Sequence, residues 1–163
     1  MDEILEVLEK DARRCPEDIA RLTKRSTDSV KKAIKKFEKD GVILGYKTII
    51  NKDALDKDDK EKEVLALIEV NIMPQKDLGF DHVAERIYSF SEVKSCYLIS
   101  GTYDLLVIVQ GKDLHTVAKF VAEKLSPLEH VRGTATHFLL KKYKEDDIIL
   151  KHKGENKRIA ISY

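Results

Sequence analysis

Thr27-Asp28-Ser29-Val30-Lys31-Lys32-Ala33-Ile34-Lys35-Lys36-Phe37-Glu38-Lys39-Asp40 is the stretch on which the fold turns. At about 100° per residue, Val30, Ala33, Ile34 and Phe37 fall on one stripe of a helix, while Asp28, Lys32, Lys35 and Lys39 cluster roughly opposite, in water. Ser26 stands where an N-cap belongs, and Gly41 where a left-handed residue ends a helix. From Arg21 to Lys47, nine basic residues face three acidic ones, a local net of +6 in a chain whose total is only +1. A lysine-bearing helix face is often no more than a solvated face. Its flanks decide whether it reads nucleic acid.

Upstream, Ile4, Leu5, Leu8 and Ala12 make a short amphipathic helix, and Pro16 with Glu17 and Asp18 opens a second that carries Ile19, Ala20 and Leu22. Proline suits the first helical turn, where its missing N–H costs nothing. About three residues, Lys24 to Ser26, join this second helix to the lysine-faced one, the short connection of a helix-turn-helix. Beyond Gly41, the apolar residues Val42, Ile43, Tyr46, Ile49 and Ile50 around Gly45 predict a strand pair, a wing. Residues 1–50 are therefore expected to form a winged helix-turn-helix whose third helix enters the major groove of double-stranded DNA.

Residues 51–63 are almost wholly charged, with only Ala54 and Leu55 apolar, and are expected to be a solvated linker. Residues 64–142 read strand 64–73, helix 80–90, strand 93–100, strand 105–110, helix 114–125 and strand 131–142. That β-α-β-β-α-β order predicts an α+β, ferredoxin-like domain with both helices on one face of the sheet. Val64, Ala66, Ile68, Val70 and Ile72 supply one face of the first strand, yet Leu65, Leu67 and Met73 make the other largely apolar too. Leu105 to Val109 is apolar on both faces. Two helices cover one side only, so the other is expected to be buried in a homodimer. In the tail, 143–163, a terminal hairpin or edge strand across the polar residues 151–157 competes with disorder.

Composition closes off other classes. No run approaches the roughly 18 to 20 apolar residues of a membrane span, and Met1-Asp2-Glu3 lacks the features of a secretory signal, which points to a cytoplasmic protein without membrane association. Cys15 and Cys96 fall in different expected domains and form no CxxC, and the five histidines at 82, 115, 130, 137 and 152 show no HxxxH or HxH spacing. No metal site, disulfide or cofactor is expected. Without a P-loop, a Gly-x-Ser-x-Gly or an evident acid-base constellation, no enzymatic activity is expected.

The segments Ile19-Ala20-Arg21-Leu22, Ile34-Lys35-Lys36-Phe37-Glu38-Lys39-Asp40 and Gly41-Val42-Ile43-Leu44-Gly45-Tyr46-Lys47 resemble the DNA-binding half of the Lrp/AsnC (feast/famine) transcription regulators. Independently, Val93-Lys94-Ser95-Cys96-Tyr97-Leu98-Ile99-Ser100-Gly101-Thr102-Tyr103-Asp104-Leu105 is similar to the strand, Gly-x-Tyr-Asp turn and strand of that family's ligand-sensing, RAM-type domain. The resemblance covers about residues 2–142, leaving the tail outside the shared pattern. It implies a homodimer that can grow to tetramers or octamers, binds operator DNA and senses an amino acid where regulatory domains meet. Carried over by position, Thr27, Asp28, Lys31, Lys32 and Lys35 would reach base edges, Lys24, Arg25, Lys36 and Lys47 would lie nearer the backbone, and Ser29 would serve either role beside the cap Ser26. Family members commonly have Gly then Leu before that serine, where this chain has Lys24 and Arg25.

For the effector, the resemblance points to Ser100, Gly101, Thr102, Tyr103 and Asp104, with Asp104 pairing an amino group. Thr134 and Thr136, alternating along the last strand, would complete a polar pocket. Taken alone, a Gly-x-x-Asp turn is also what a tight hairpin prefers, and threonine is simply a good strand residue. The alternative function is a stand-alone sensing or scaffold protein without DNA binding, whose lysines are merely solvated.

Overall fold

Asp2 starts the first helix. Its carboxylate accepts the Ile4 N–H at 2.9 Å and caps α1, Glu3–Lys10. Pro16 then opens α2, Pro16–Thr23, and Ser26 caps α3, Thr27–Lys39, by accepting the Ser29 N–H at 3.3 Å. In the computed structural model residues 1–51, 63–73 and 79–150 are described. They fall into two compact units that meet in the chain at Ile50 and Asn51.

In the first unit the apolar stripes of the three helices converge. Ile4, Leu8, Ile19, Ala20 and Val30 are buried, and Val7, Ala33, Ile34, Phe37 and Ile43 pack around them. Each fully buried Ile or Val side chain among them stabilises the unit by about 1.5–3 kcal/mol. Ala12 lies beyond the end of α1 and is exposed, and Leu22 is exposed on α2, so neither joins this core.

α3 ends on Gly41, at φ 71°, with the Gly41 N–H donating to Glu38 O at 3.3 Å and the Val42 N–H to Phe37 O at 2.8 Å. That pair of bonds is a Schellman cap. The expected wing strands are absent among the described residues, since 42–51 carries no strand. The Ile43 N–H is also spent on Phe37 O, at 3.0 Å, so the backbone that would begin a ladder closes the helix instead. Leu44 is 93% exposed, and Tyr46 is anchored through its hydroxyl, which donates to Glu38 Oε1 at 3.0 Å.

The second unit has the expected β-α-β-β-α-β order: β1 (Val64–Ile72), α4 (Asp81–Tyr88), β2 (Val93–Leu98), β3 (Leu105–Gly111), α5 (Leu114–Phe120) and β4 (Val131–Phe138). The four strands form one antiparallel sheet in the order β2-β3-β1-β4. Ala66, Ile68, Val70 and Ile72 of β1 and Leu105, Val107 and Val109 of β3 are buried under Val83 and Ile87 of α4 and Val117 and Phe120 of α5. Asp113 caps α5, accepting the Thr116 N–H at 2.7 Å, and the chain continues beyond Phe120 as one π-helical turn, Val121–Leu125, that buries Leu125.

Alternation leaves Leu65, Leu67 and Glu69 of β1 and Leu106, Ile108 and Gln110 of β3 on the opposite face, which no helix covers among the described residues. By register, Tyr97, half exposed, and Ala135 and His137 share that face. His137 Nε2 lies 3.2 Å from Glu69 Oε1 there.

After β4 a hairpin of β5 (Lys144–Glu145) and β6 (Ile148–Ile149) turns through Asp146 and Asp147, both left-handed at φ 44° and 65°. Two positive φ values in succession match the twist of paired strands. The tail beyond Leu150, including the hairpin expected across 151–157, lies outside the described residues, as does nearly all of the expected linker. No helix among the described residues is long and apolar enough to cross a membrane.

Candidate DNA interface and effector cleft

The turn between α2 and α3 is closed by Lys24 in the left-handed conformation, φ 54° and ψ 34°, with the Arg25 N–H donating to Ala20 O at 3.0 Å. A side chain in that conformation costs about 1 kcal/mol that glycine would not incur. The turn thus keeps its geometry without the family's glycine. It places Lys24, Arg25, Ser26, Asp28 and Ser29 on the surface and leaves Thr27 half-buried.

Along α3, Lys31, Lys32, Lys35 and Lys36 are all exposed, but their electrostatic states differ. Lys31 Nζ lies 3.1 Å from Glu17 Oε1, and Arg25 Nη1 lies 3.2 Å from Asp2 Oδ2. The Ile4 N–H, and after it Arg25, hold the Asp2 carboxyl below its ordinary value. Lys32, Lys35 and Lys36 have no ion pair among the described residues, and neither do Lys24 and Lys47. Lys31, expected at a base edge, is instead directed toward the start of α2. On α3 the cations without an ion pair among the described residues are thus Lys32, Lys35, Lys36 and Lys39.

In the second unit Asp104 laces three segments together. Its N–H donates to Val70 O at 3.1 Å, its carbonyl accepts the Ile99 N–H at 2.8 Å, and its Oδ2 accepts the Ile72 N–H at 2.7 Å. The carboxylate thereby satisfies a backbone donor where β1 leaves the ladder. Beside it opens a shallow cleft of about 400 Å³ lined by Asn71, Ile72, Asp104, Arg132 and Gly133.

Ser100, Gly101 and Thr102 are exposed and Tyr103 half-buried in the β2–β3 loop, and none of them lines this cleft. Gly101 does not need its freedom within this chain: its φ is not left-handed, and a Cβ there would meet Ile99 Cγ2 at an ordinary 3.6 Å. The expectation that Thr134 and Thr136 join Asp104 in a pocket is corrected. Register sets them opposite Val70 and Ile68, on the helix-covered face, where the Thr134 hydroxyl lies 3.4 Å from that of Ser126.

Sequence reasoning missed Asn71, Arg132 and Gly133. Asn71 pairs with Gly133 and Ile72 with Val131, so Arg132 is an extra residue in β4, a bulge. A glycine inside a strand pattern was the available signal.

Residues 65–149 match the family profile of the Lrp/AsnC ligand-binding domain, and residues 3–43 match that of winged helix-turn-helix DNA-binding domains. The chain belongs to the Lrp/AsnC family. It is 44% identical over 160 residues to the HTH-type transcriptional regulator YugG of Bacillus subtilis, covering 98% of this chain and 95% of that one. It is 24% identical over 147 residues to the leucine-responsive regulatory protein of Haemophilus influenzae, covering 90% and 86%. Escherichia coli AsnC superposes with a TM-score of 0.65 at 20% identity, covering 88% of this chain and 91% of that one. A Neisseria meningitidis transcriptional regulator in complex with L-Met gives 0.66 at 24% identity, covering 88% and 89%. At these identities the superpositions speak to the fold. The family match reaches residue 149, so the β5–β6 hairpin belongs to the shared pattern, which the sequence resemblance had ended at Lys142. This Lrp/AsnC chain is a transcriptional regulator that joins a DNA-binding helix-turn-helix to a ligand-binding domain.

Proposed function

We propose that this Lrp/AsnC regulator works as a cytoplasmic, non-enzymatic homodimer, paired through the open face of its sheet, that sets two copies of α3 against successive half-sites of an operator. The observation that carries this reading is the sheet itself, with Leu65, Leu67, Leu106 and Ile108 on a face its own helices leave uncovered. The four are half-buried within this chain, a contiguous apolar strip of this kind marks an interaction surface, and a self-complementary face is the usual basis of a two-fold dimer.

On DNA, Lys32 and Lys35, with Asp28 and Ser29, are the residues we assign to the groove. Lys24, Arg25, Lys36 and Lys47 go to the phosphates, and Lys31 reaches DNA on leaving Glu17. Phosphate contacts position the protein while the few groove contacts choose sequence. The effector is a small amino acid in the Asp104 cleft, at the end of the same sheet whose open face pairs the protomers. Binding there changes DNA occupancy by favouring one assembly over another.

A mobility-shift assay with the gene's own upstream region, with and without each of the twenty amino acids, tests the proposal. The wild type is expected to shift the fragment, one amino acid to change the midpoint, and the double variant Lys32→Glu, Lys35→Glu to fail. Equal binding by wild type and double variant would overturn the DNA assignment.

A further inference from the structure

We propose that Arg132 is the carboxylate anchor of the cleft, so that the site selects ligands bearing a free carboxylate beside an ammonium group. This rests on the effector reading of the cleft and names the chemistry that decides its ligand class.

The placement of Arg132 follows from the register. β1 and β4 pair at Asn71 with Gly133 and then at Ile72 with Val131, leaving Arg132 as the residue without a partner across the ladder. An extra residue in one strand bends it and re-aims its side chain, a device found beside binding sites. Here the result is that Arg132 lines the same cleft as Asp104.

Both groups have capacity to spare. The Arg132 side chain is exposed and makes neither an ion pair nor a hydrogen bond among the described residues, as is also true of Arg13 and Arg86, but Arg132 alone of the three lines the cleft. Asp104 commits Oδ2 to the Ile72 N–H and has no partner on Oδ1 among the described residues. One charge is thereby held in place by the backbone while the opposite charge is free to close on a ligand. A planar guanidinium matches a carboxylate with two parallel hydrogen bonds, and a carboxylate accepts from an ammonium. Gly133 contributes no side chain and Asn71 a neutral carboxamide, so the lining carries only these two charges. An α-amino acid satisfies both, an amine or an amino-acid amide only one.

The test measures binding by calorimetry for the full chain against the twenty amino acids, and against the α-carboxamide of any that binds. Wild type, Arg132→Gln and Arg132→Lys are compared. The wild type is expected to bind at least one amino acid and to bind its carboxamide at least tenfold more weakly. Arg132→Gln is expected to lose about ten- to a hundredfold in affinity, the equivalent of one charge-assisted contact. Arg132→Lys should fall between, keeping the charge without the fork. Thermal midpoints and mass should be unchanged, since the Arg132 side chain makes no ion pair or hydrogen bond among the described residues. Unaltered affinity in Arg132→Gln, or equal binding of acid and amide, would overturn the anchor while the effector reading stands. No amino acid binding to the wild type would overturn both.

Discussion

Arg25 Nη1 lies 3.2 Å from Asp2 Oδ2, and the same carboxylate accepts the Ile4 N–H at 2.9 Å, so one side chain both caps α1 and ties down the turn before α3. With side chains 37% and 30% exposed, the ion pair is screened and contributes at the low end of about 0.2–1 kcal/mol. Asp2→Asn, which keeps an oxygen for Ile4, should lower stability by no more than that. Asp2→Ala, which also removes the cap, should cost about 1 kcal/mol further. Urea unfolding of the three proteins checks the order.

The same carboxylate gives a pH dependence. Its folded value is depressed below the ordinary 3.8 by the Ile4 N–H first and Arg25 next. A depressed carboxyl stabilises the fold above its unfolded value and loses that contribution as pH falls through the lower folded one. The stability gap between wild type and Asp2→Ala should therefore be constant at neutral pH and shrink only below about pH 4. A gap that widened with acid would contradict the assignment.

Lys24 occupies a left-handed conformation at φ 54°. Lys24→Gly should therefore stabilise the protein by about 0.5–1 kcal/mol, less than the full steric relief because glycine also has more freedom to lose on folding. The same substitution removes a cation from the DNA surface, so affinity should fall as stability rises. Thermal melting and a salt titration of DNA binding would show the two moving oppositely.

DNA affinity should weaken steeply with salt, with a log-log slope of about −0.9 for each phosphate neutralised. Lys36→Gln should reduce the magnitude of that slope by about one unit. Fluorescence anisotropy across a salt series measures both, and a salt-independent affinity would contradict the interface.

Gly111 ends β3 directly beneath α5, where a Cβ would meet Val117 Cγ2 at 2.9 Å. Val117 is fully buried, and its β-branched side chain is stiff at χ1. Gly111→Ala should therefore destabilise by about 1–3 kcal/mol, read as a lower urea midpoint.

Much of this architecture was legible because it depends on periodicity. The α3 stripe of Val30, Ala33, Ile34 and Phe37 and the alternation of Ala66, Ile68 and Val70 record which side of each element faces a core, and the folded chain keeps both. The wing misled because Val42 and Ile43 have strand-like side chains while their N–H groups close α3 on Phe37, a backbone choice that apolar pattern does not carry. Thr134 and Thr136 share one face, as their alternation predicts, but which face depends on the register with β1. The bulge that displaces Arg132 is likewise a property of two strands together, and Gly133 alone hinted at it.

In the proposed assembly protomers meet on the uncovered sheet face. Light scattering of the purified chain, with Ile108→Lys alongside, tests this most directly. The wild type should show at least twice the 18.7 kDa of one chain at micromolar concentration, and the variant should fall toward a single chain with its secondary structure intact. A wild type at 18.7 kDa that nonetheless remains folded and soluble would contradict it.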